Sequence, residues 1–547
     1  MANIKFPKKL FEKEIGKLDE KMKKKISMFG TPLESVEEGE IEVEIFPDRP
    51  DLLSYQGFKR AFLAFLGKKT GLKKYRLHKP GKNYYVKVDS SVKKVRPYTV
   101  CAIIKGLKLN DEKIKEIIEL QEKLHNTVGR KRKKLAIGIY PLEKIKLPIT
   151  YKALEPDKIK FTPLEMNREM SGLQILQRHS TGREYAHLLS GKRKFPVFLD
   201  AEKNVLSMPP IINSQLTGKV DENTKDVFIE CSGFNIDVLK KSLNIIVTAL
   251  ADMSPSIKIY QMKVKYKKPI VTPDLTPDKR KISKENTNKL LGLNLSKKQI
   301  QKMLEKMGYE LKKNNVKIPA WRTDILHEVD LIEDIAIAYG YENFEPEIPK
   351  ISTLGKENPR ETIKRKIAHI FAGLKMTEVS NYHLTTPRDQ FSKMGLNPKK
   401  QKNSIEVKES KTEYNILRKD LTHCLLKNLS ENVDVEYPQK IFEVGKIFNS
   451  NLMESEKLAA VISPGDFTEI KQVLKYLSKM LNQEIYLEEA KDFPSWFING
   501  RVARIKLDKE TLGFIGEIHP KILNNWKLKM PAALFEIDLE EIFKKLE

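Results

Sequence analysis

Two stretches of this sequence bring together residue types that chemistry needs. One is VLSMPPIINSQLTG at 205–218, followed by FIECSG at 228–233. Adjacent prolines, Pro209 and Pro210, stiffen the backbone and remove donors from it. Ser207, Asn213, Ser214 and Thr217 set short polar groups around Ile211 and Ile212. A rigid loop with sparse polar groups on an apolar floor suits a small ligand. The same composition also makes a proline turn whose side chains cap local backbone, and the residues alone leave both readings open. The second stretch is acidic. Asp330, Glu333 and Asp334 stand at i, i+3 and i+4 and share one helix face, with Asp324 on the turn before it. Like charges so close repel unless a cation lies among them, and oxygen-only ligands suit Mg²⁺. A solvated acidic face paired with the chain's many lysines is the competing reading.

Two further groups are weaker. His179 and His187 flank GREYAH, but no cysteine or third histidine completes a ligand set, which favours a structural or surface role. The run Arg130, Lys131, Arg132, Lys133 and Lys134 is either a phosphate-binding loop or a solvated one.

These groups must be positioned by a chain of 547 residues, enough for about three or four domains. Its net charge is +27, from 100 Lys+Arg against 73 Asp+Glu. Such an excess favours a polyanionic partner, because each neutralised phosphate releases counterions. The cysteines, Cys101, Cys231 and Cys424, are isolated, which excludes a thiolate zinc site within the chain and points to a reducing, cytoplasmic setting. No stretch approaches the roughly 18 apolar residues of a membrane span, so no membrane partner is expected.

Several elements read directly from pattern. Phe58, Ala61, Phe62 and Phe65 recur at helical spacing, with Gly67 as a stop. YTVCAIIKGL (98–107) reads as a buried strand, and LAIGIY (135–140) as another. Between them Asp111 is expected to cap a helix with Ile114, Ile117, Ile118 and Leu124 on one stripe. Pro80 with Gly81, and the prolines at 269, 273, 277, 346, 349 and 359, mark boundaries. Ser296 is expected to cap a helix carrying Ile300, Met303, Leu304 and Met307.

Four ordered segments, TVGRKRKKLAIGIYPLEKI (127–145), GREYAHLL (182–189), VLSMPPIINSQLTG (205–218) and RTDILHEVDLIEDIAIAYGY (322–341), together resemble the β subunit of phenylalanyl-tRNA synthetase. The resemblance covers almost the whole chain. The length is similar to that of the shorter archaeal/eukaryotic type, archaeal by preference, with no room for a bacterial-type oligonucleotide-binding module or a ferredoxin-like anticodon domain.

The resemblance implies a multi-domain α/β (α+β) architecture. Residues 1–80 would form a small N-terminal α/β domain, and 81–268 a mixed α/β editing domain. Residues 269–346 would form a winged-helix-like acidic domain, and 347–547 a non-catalytic class II synthetase-like domain built on an antiparallel sheet. It implies an α-subunit partner in a complex of two α and two β, phenylalanine tRNA as substrate, and ATP bound by the α subunit.

The resemblance also assigns residues. The editing pocket, which hydrolyses tyrosine from mischarged tRNA, would comprise Leu206, Ser207, Pro209, Ile211, Asn213, Ser214, Thr217, Glu230, Ser232 and His179, with Glu230 accepting the tyrosine hydroxyl. The family pattern there is Asp, one residue, Thr, then Gly, where this chain has Glu230-Cys231-Ser232-Gly233. Magnesium would fall to Asp324, Asp330, Glu333 and Asp334, a D-x5-D-x2-E-E pattern ending here in Asp. In the last domain GKIFNSNLMESEK lacks the arginine that clamps ATP in class II enzymes, and GFIGEIHPKIL lacks GxGxxR. The chain alone is therefore expected not to aminoacylate. A free-standing aminoacyl-tRNA hydrolase and a non-enzymatic RNA-binding protein, using Arg130–Lys134, are the alternatives.

Overall fold

The computed structural model describes residues 2–37, 39–401 and 404–546. The chain divides into two compact units, Met1–Ile348 and Pro349–Glu547, and the architecture is the multi-domain α/β one expected.

The first unit opens with a small antiparallel sheet in which Glu40–Ile45 lies between Ala2–Pro7 and Leu33–Glu37. The helix Tyr55–Phe65 covers it, capped by Ser54, whose hydroxyl accepts from the Gly57 amide. Phe58 and Phe62 on this helix pack with Phe6, Phe11 and Phe29 in a chain of aromatic contacts. The expected apolar stripe is thus a core stripe.

The second sheet is the one that carries the candidate pocket. Its path runs Ile212–Asn213, Val205–Met208, Phe195–Leu199, Ile149–Leu154, Tyr85–Val88, Lys258–Lys265, Tyr98–Lys105, Asp226–Gly233 and Leu135–Pro141. Tyr85–Val88 runs parallel to both its neighbours on this path, and the other neighbouring pairs are antiparallel. Side chains alternate across a strand. Val227, Ile229 and Cys231 therefore join the core beneath the helix Ile236–Ala251, while Phe228 faces the opposite core with Tyr140, Tyr151 and Phe198.

The helix after Tyr98–Lys105 spans Asp111–Asn126, and its cap differs from expectation. Asn110, one residue earlier, accepts from the Lys113 amide, and Asp111 is the first helical residue. The buried stripe is Ile117, Leu120 and Leu124, whereas Ile118 is exposed. Ile118 lies one position, about 100°, round the helix from Ile117, outside the buried arc.

Residues 278–345 form three helices, Lys284–Leu291, Lys297–Lys306 and Glu328–Tyr339, against a three-stranded sheet of Asp278–Lys281, Asn315–Ile318 and Glu310–Lys312. Ser296 caps the second helix in a reciprocal box with Gln299, as its spacing predicted.

The second unit is built on a seven-stranded sheet, antiparallel except for its short edge strand Thr377–Glu378. Its central strands are Glu454–Ser463, Ala533–Asp538 and Glu510–Ile518. One face packs on the helices Pro359–Gly373 and Phe467–Met480, the other on Thr422–Glu431 and Pro520–Asn525. Among the described residues no helix is long and apolar enough to cross a membrane.

Candidate functional site

The strand Asp226–Gly233 is buried between two neighbours, and register places Glu230 opposite Cys101 on one side and Gly138 on the other. A carboxyl on the face of Phe228 and Tyr140 sits in an apolar core. Burial pushes Glu230 up to about 8, and Arg96, Tyr140 and Ser232 only partly oppose it. At neutral pH it is mostly protonated and can donate as well as accept. Its Oε2 is buried and has no hydrogen-bond partner.

The proline segment forms the facing wall. Val205–Met208 pairs with Ile212–Asn213, so Ser207 lies opposite Asn213, and the Pro209–Pro210 bond at the turn is cis. A cavity of about 80 Å³ lies between this hairpin and Glu230, lined by Ser207, Pro209, Ile211, Asn213, His125 and Arg132 among others. Five of the residues expected in the pocket line it: Ser207, Pro209, Ile211, Asn213 and Glu230.

The other five stand around the cavity and do structural work. Leu206 is buried in the apolar core with Phe198 and Tyr151. The Ser214 amide donates to the Leu206 carbonyl at 2.8 Å, and the Thr217 hydroxyl donates to the Val205 carbonyl at 3.1 Å. Ser232 is held by Arg96, which donates to its carbonyl at 2.6 Å and its hydroxyl at 3.2 Å. His179 does not reach the cavity: its Nε2 donates to the carbonyl of Leu164, a wall residue, at 3.0 Å. His187 sits on the surface side with Nδ1 3.2 Å from the Glu184 carbonyl.

Three participants went unread in the sequence. Arg96 is buried and reaches Ser232 from just after the 3-10 turn Ser90–Lys94, far away in the chain. His125 Nε2 accepts the Ile137 amide at 2.8 Å, leaving Nδ1 to donate to Glu122 Oε1 at 3.1 Å. Burial lowers its tendency to protonate, so it is a neutral strut. The third is Tyr140, whose hydroxyl lies 2.7 Å from Ser207 Oγ, 3.3 Å from Glu230 Oε1 and 3.4 Å from Asn213 Oδ1. The clue to these last two was proximity, since His125 and Tyr140 bracket the basic loop and the strand LAIGIY.

The basic loop divides into two roles. Arg130, Lys131 and Arg132 have φ of 46°, 52° and 62°, consecutive left-handed residues that reverse the chain tightly. Arg130, Lys131, Lys133 and Lys134 are exposed. Arg132 turns inward instead. It donates to the Ile211 carbonyl and to Glu122 Oε1, each at 2.8 Å, and lies 4.5 Å over the Tyr185 ring. It ties the loop to the proline hairpin and is not a free basic side chain.

The four carboxylates do not converge. Arg322 forks onto Asp324 at 2.8 and 2.6 Å and reaches Asp334 at 2.8 Å. Tyr309 donates to the same Asp334 oxygen. Burial raises the Asp324 carboxyl, but Arg322 and Arg49 outweigh it and hold it low. Asp330 accepts the amides of Leu326 and His327, both at 2.7 Å, as part of the helix N-terminal cap. Glu333 alone is exposed, its carboxyl raised by partial burial and by Asp334, Asp48, Asp330 and Asp324. The Arg322 guanidinium lies between Asp324 and Asp334. Among the described residues no group of three His, Cys, Asp or Glu is arranged to hold a metal ion.

A larger cavity, of about 1010 Å³, lies elsewhere in the first unit. Its Arg60 and Lys73 are both paired with Asp252, at 2.8 and 2.6 Å. In the second unit, the turn joining Gln439–Phe448 to Glu454–Ser463 is NSNLM, without arginine. Arg418 is fully buried there and spent on Glu443 at 2.6 Å and the Lys446 carbonyl at 2.7 Å.

Known proteins are similar to this chain over most of its length. Residues 280–341 match the tRNA synthetase B5 domain, and 345–539 match the phenylalanyl tRNA synthetase beta chain CLM domain. The phenylalanine–tRNA ligase β subunit of Thermococcus sibiricus is 41% identical over 91% of this chain and 90% of its own length. That of Methanosarcina barkeri is 37% identical over 97% of both. The crystal structure of an N-terminal fragment of the Pyrococcus horikoshii β subunit superposes with a TM-score of 0.58 at 40% identity, covering 62% of this chain and 99% of the fragment.

Proposed function

The chain belongs to the phenylalanyl-tRNA synthetase β-subunit family, of archaeal type, and on that premise we propose that its Glu230 pocket hydrolyses tyrosine from mischarged phenylalanine tRNA. The observation that carries this reading is Glu230 itself. A buried carboxyl with one unpartnered oxygen lies beside Ser207, Asn213 and a stiff apolar hairpin. Tyrosine is phenylalanine plus one hydroxyl, and an apolar synthetic site rejects an added hydroxyl by only about a hundredfold. A second site that pairs with the hydroxyl reverses the preference, because a buried polar group left unpaired costs about 1–3 kcal/mol.

In this reading Glu230 and Asn213 hold the phenol, and His125 and Arg132 keep the wall rigid. No nucleophile–base pair faces the cavity among the described residues, so the pocket positions a water beside the ester, assisted by the tRNA's terminal ribose hydroxyl. Arg130, Lys131, Lys133 and Lys134, on the turn that Arg132 anchors to the hairpin, supply charge for the tRNA backbone. The B5 region and the seven-stranded unit dock the α subunit, in a complex of two α and two β that binds ATP on α. Asp324, Asp330, Glu333 and Asp334, with Arg322 among them, do not fit an octahedral Mg²⁺ site, and no step is assigned to a metal there.

The test is tyrosine release from mischarged tRNA by the assembled complex. Glu230→Ala is expected to slow release about 10–100-fold, the kinetic equivalent of one buried hydrogen-bonding group lost. Undiminished release would remove Glu230 from this role.

A further inference from the structure

The cavity beside Glu230 is too small for the side chain it would receive. It measures about 80 Å³, against about 300–1000 Å³ for ligand pockets in general. That is room for a few waters. One side chain, behind the cavity wall, holds the polar groups that line it. Tyr140 is fully buried and its ring stacks on Phe228 with centroids 5.7 Å apart. It folds back over Gly138 so closely that a β-carbon there would lie 2.1 Å from the Tyr140 hydroxyl. Its hydroxyl rests on Ser207, Glu230 and Asn213. The proposed function requires two of these groups, Glu230 and Asn213, to receive the phenol of the substrate. The chain has thus placed a phenol of its own on the acceptors for a phenol.

We infer that Tyr140 is an internal competitor for the pocket and sets its tyrosine specificity: the tyrosyl group enters only when the Tyr140 side chain withdraws. Two features make the exchange feasible. The strand Leu135–Pro141 lies at the end of the sheet and is paired on one side only, with Asp226–Gly233. The closed arrangement also leaves Glu230 Oε2 unpartnered. An entering phenol that reaches this oxygen gains a bond that Tyr140 does not make, and a ligand shifts an equilibrium only through such a difference.

The affinity of a site open for a fraction of the time falls by that fraction. Tyr140→Ala in the α–β complex is therefore expected to raise kcat/KM for release of tyrosine from mischarged tRNA by about tenfold, equivalent to about 1.4 kcal/mol of closure. Tyr140→Phe keeps the ring against Phe228 but removes its hydroxyl's bonds, and should give a smaller rise. The inference rests on the editing reading, and Glu230→Ala separates the two. If Glu230→Ala releases tyrosine as fast as the unaltered complex, Glu230 does not receive the phenol, and this inference falls with that role. If Glu230→Ala is slow but neither Tyr140 variant is faster than the unaltered complex, only the competitor role is overturned. Should Tyr140→Ala fail to fold, Tyr140→Phe decides alone: a rise supports the inference, and an unchanged or lower rate ends it.

Discussion

Replacing Glu230 by glutamine tests the physical basis of the site without touching its shape. The folded protein holds this carboxyl up to about 8, against an ordinary 4.5, because burial disfavours its charge. Between those pH values the folded state keeps a proton that the unfolded chain has released. The stabilisation is complete below pH 4.5 and is lost as pH rises through about 8. A difference of 3.5 pH units corresponds to about 5 kcal/mol, and relaxation around the charged group brings the expected change to about 2–5 kcal/mol. Glutamine mimics the protonated form at every pH. Glu230→Gln should therefore match the unaltered protein near pH 5 and exceed it at pH 9, with a transition higher by about 5–10 °C for a domain of this size. A chain of several domains is not expected to unfold in one step. Hydrogen exchange in Asp226–Gly233, measured beside thermal unfolding, assigns the change to this sheet. A difference that stays constant from pH 5 to pH 9, or a glutamine variant less stable at pH 9, refutes the argument that Glu230 is buried and neutral.

Two further substitutions separate structural charge from charge offered to a partner. Arg132→Ala breaks bonds to the Ile211 carbonyl and Glu122 and the contact with Tyr185, and is expected to lower stability by about 2–3 kcal/mol. Lys131→Ala, on the same turn but exposed, should leave the melting temperature in place and reduce the salt dependence of tRNA binding by about one charge. Arg322→Met leaves Asp324 and Asp334 without their shared cation and should destabilise the chain by about 3–5 kcal/mol. Added Mg²⁺ should not raise the unfolding temperature of the unaltered chain measured without the α subunit. A clear Mg²⁺-dependent rise that Asp334→Asn abolishes would restore a metal to the cluster.

What the sequence disclosed was what repeats or pairs locally. Helical spacing found Phe58, Phe62 and Phe65, a capping box found Ser296, and continuous apolar runs found the strands around residues 100 and 137. The i, i+3, i+4 spacing of Asp330, Glu333 and Asp334 also read correctly as neighbours on one helix. It did not show that Arg322, on the preceding strand-to-helix turn, pairs with two of the four carboxylates. Only three dimensions show it forked between Asp324 and Asp334. The same limit applies to the pocket. Ser207, Asn213 and Glu230 announce themselves by type and spacing. Arg96 and Tyr140 are an arginine and a tyrosine among many, made functional by a register that sets Gly138 opposite Glu230.

The departure of this pocket from the family pattern then has a physical reading. Glutamate at 230 reaches one methylene further than aspartate would. On a strand buried on both sides, that extra length carries the carboxyl to within 3.3 Å of the Tyr140 hydroxyl. A longer acid and an inward tyrosine satisfy each other: the acid finds a partner for one oxygen, and the phenol finds acceptors for its proton in an otherwise apolar core. Removing Tyr140 takes away the partner of Glu230 Oε1, whereas removing Glu230 leaves the Tyr140 hydroxyl on Ser207; because the two share a bond, Glu230 and Tyr140 substitutions should prove non-additive. On the proposed reading, the contacts by which Tyr140 satisfies Glu230 are those an incoming tyrosine would have to replace.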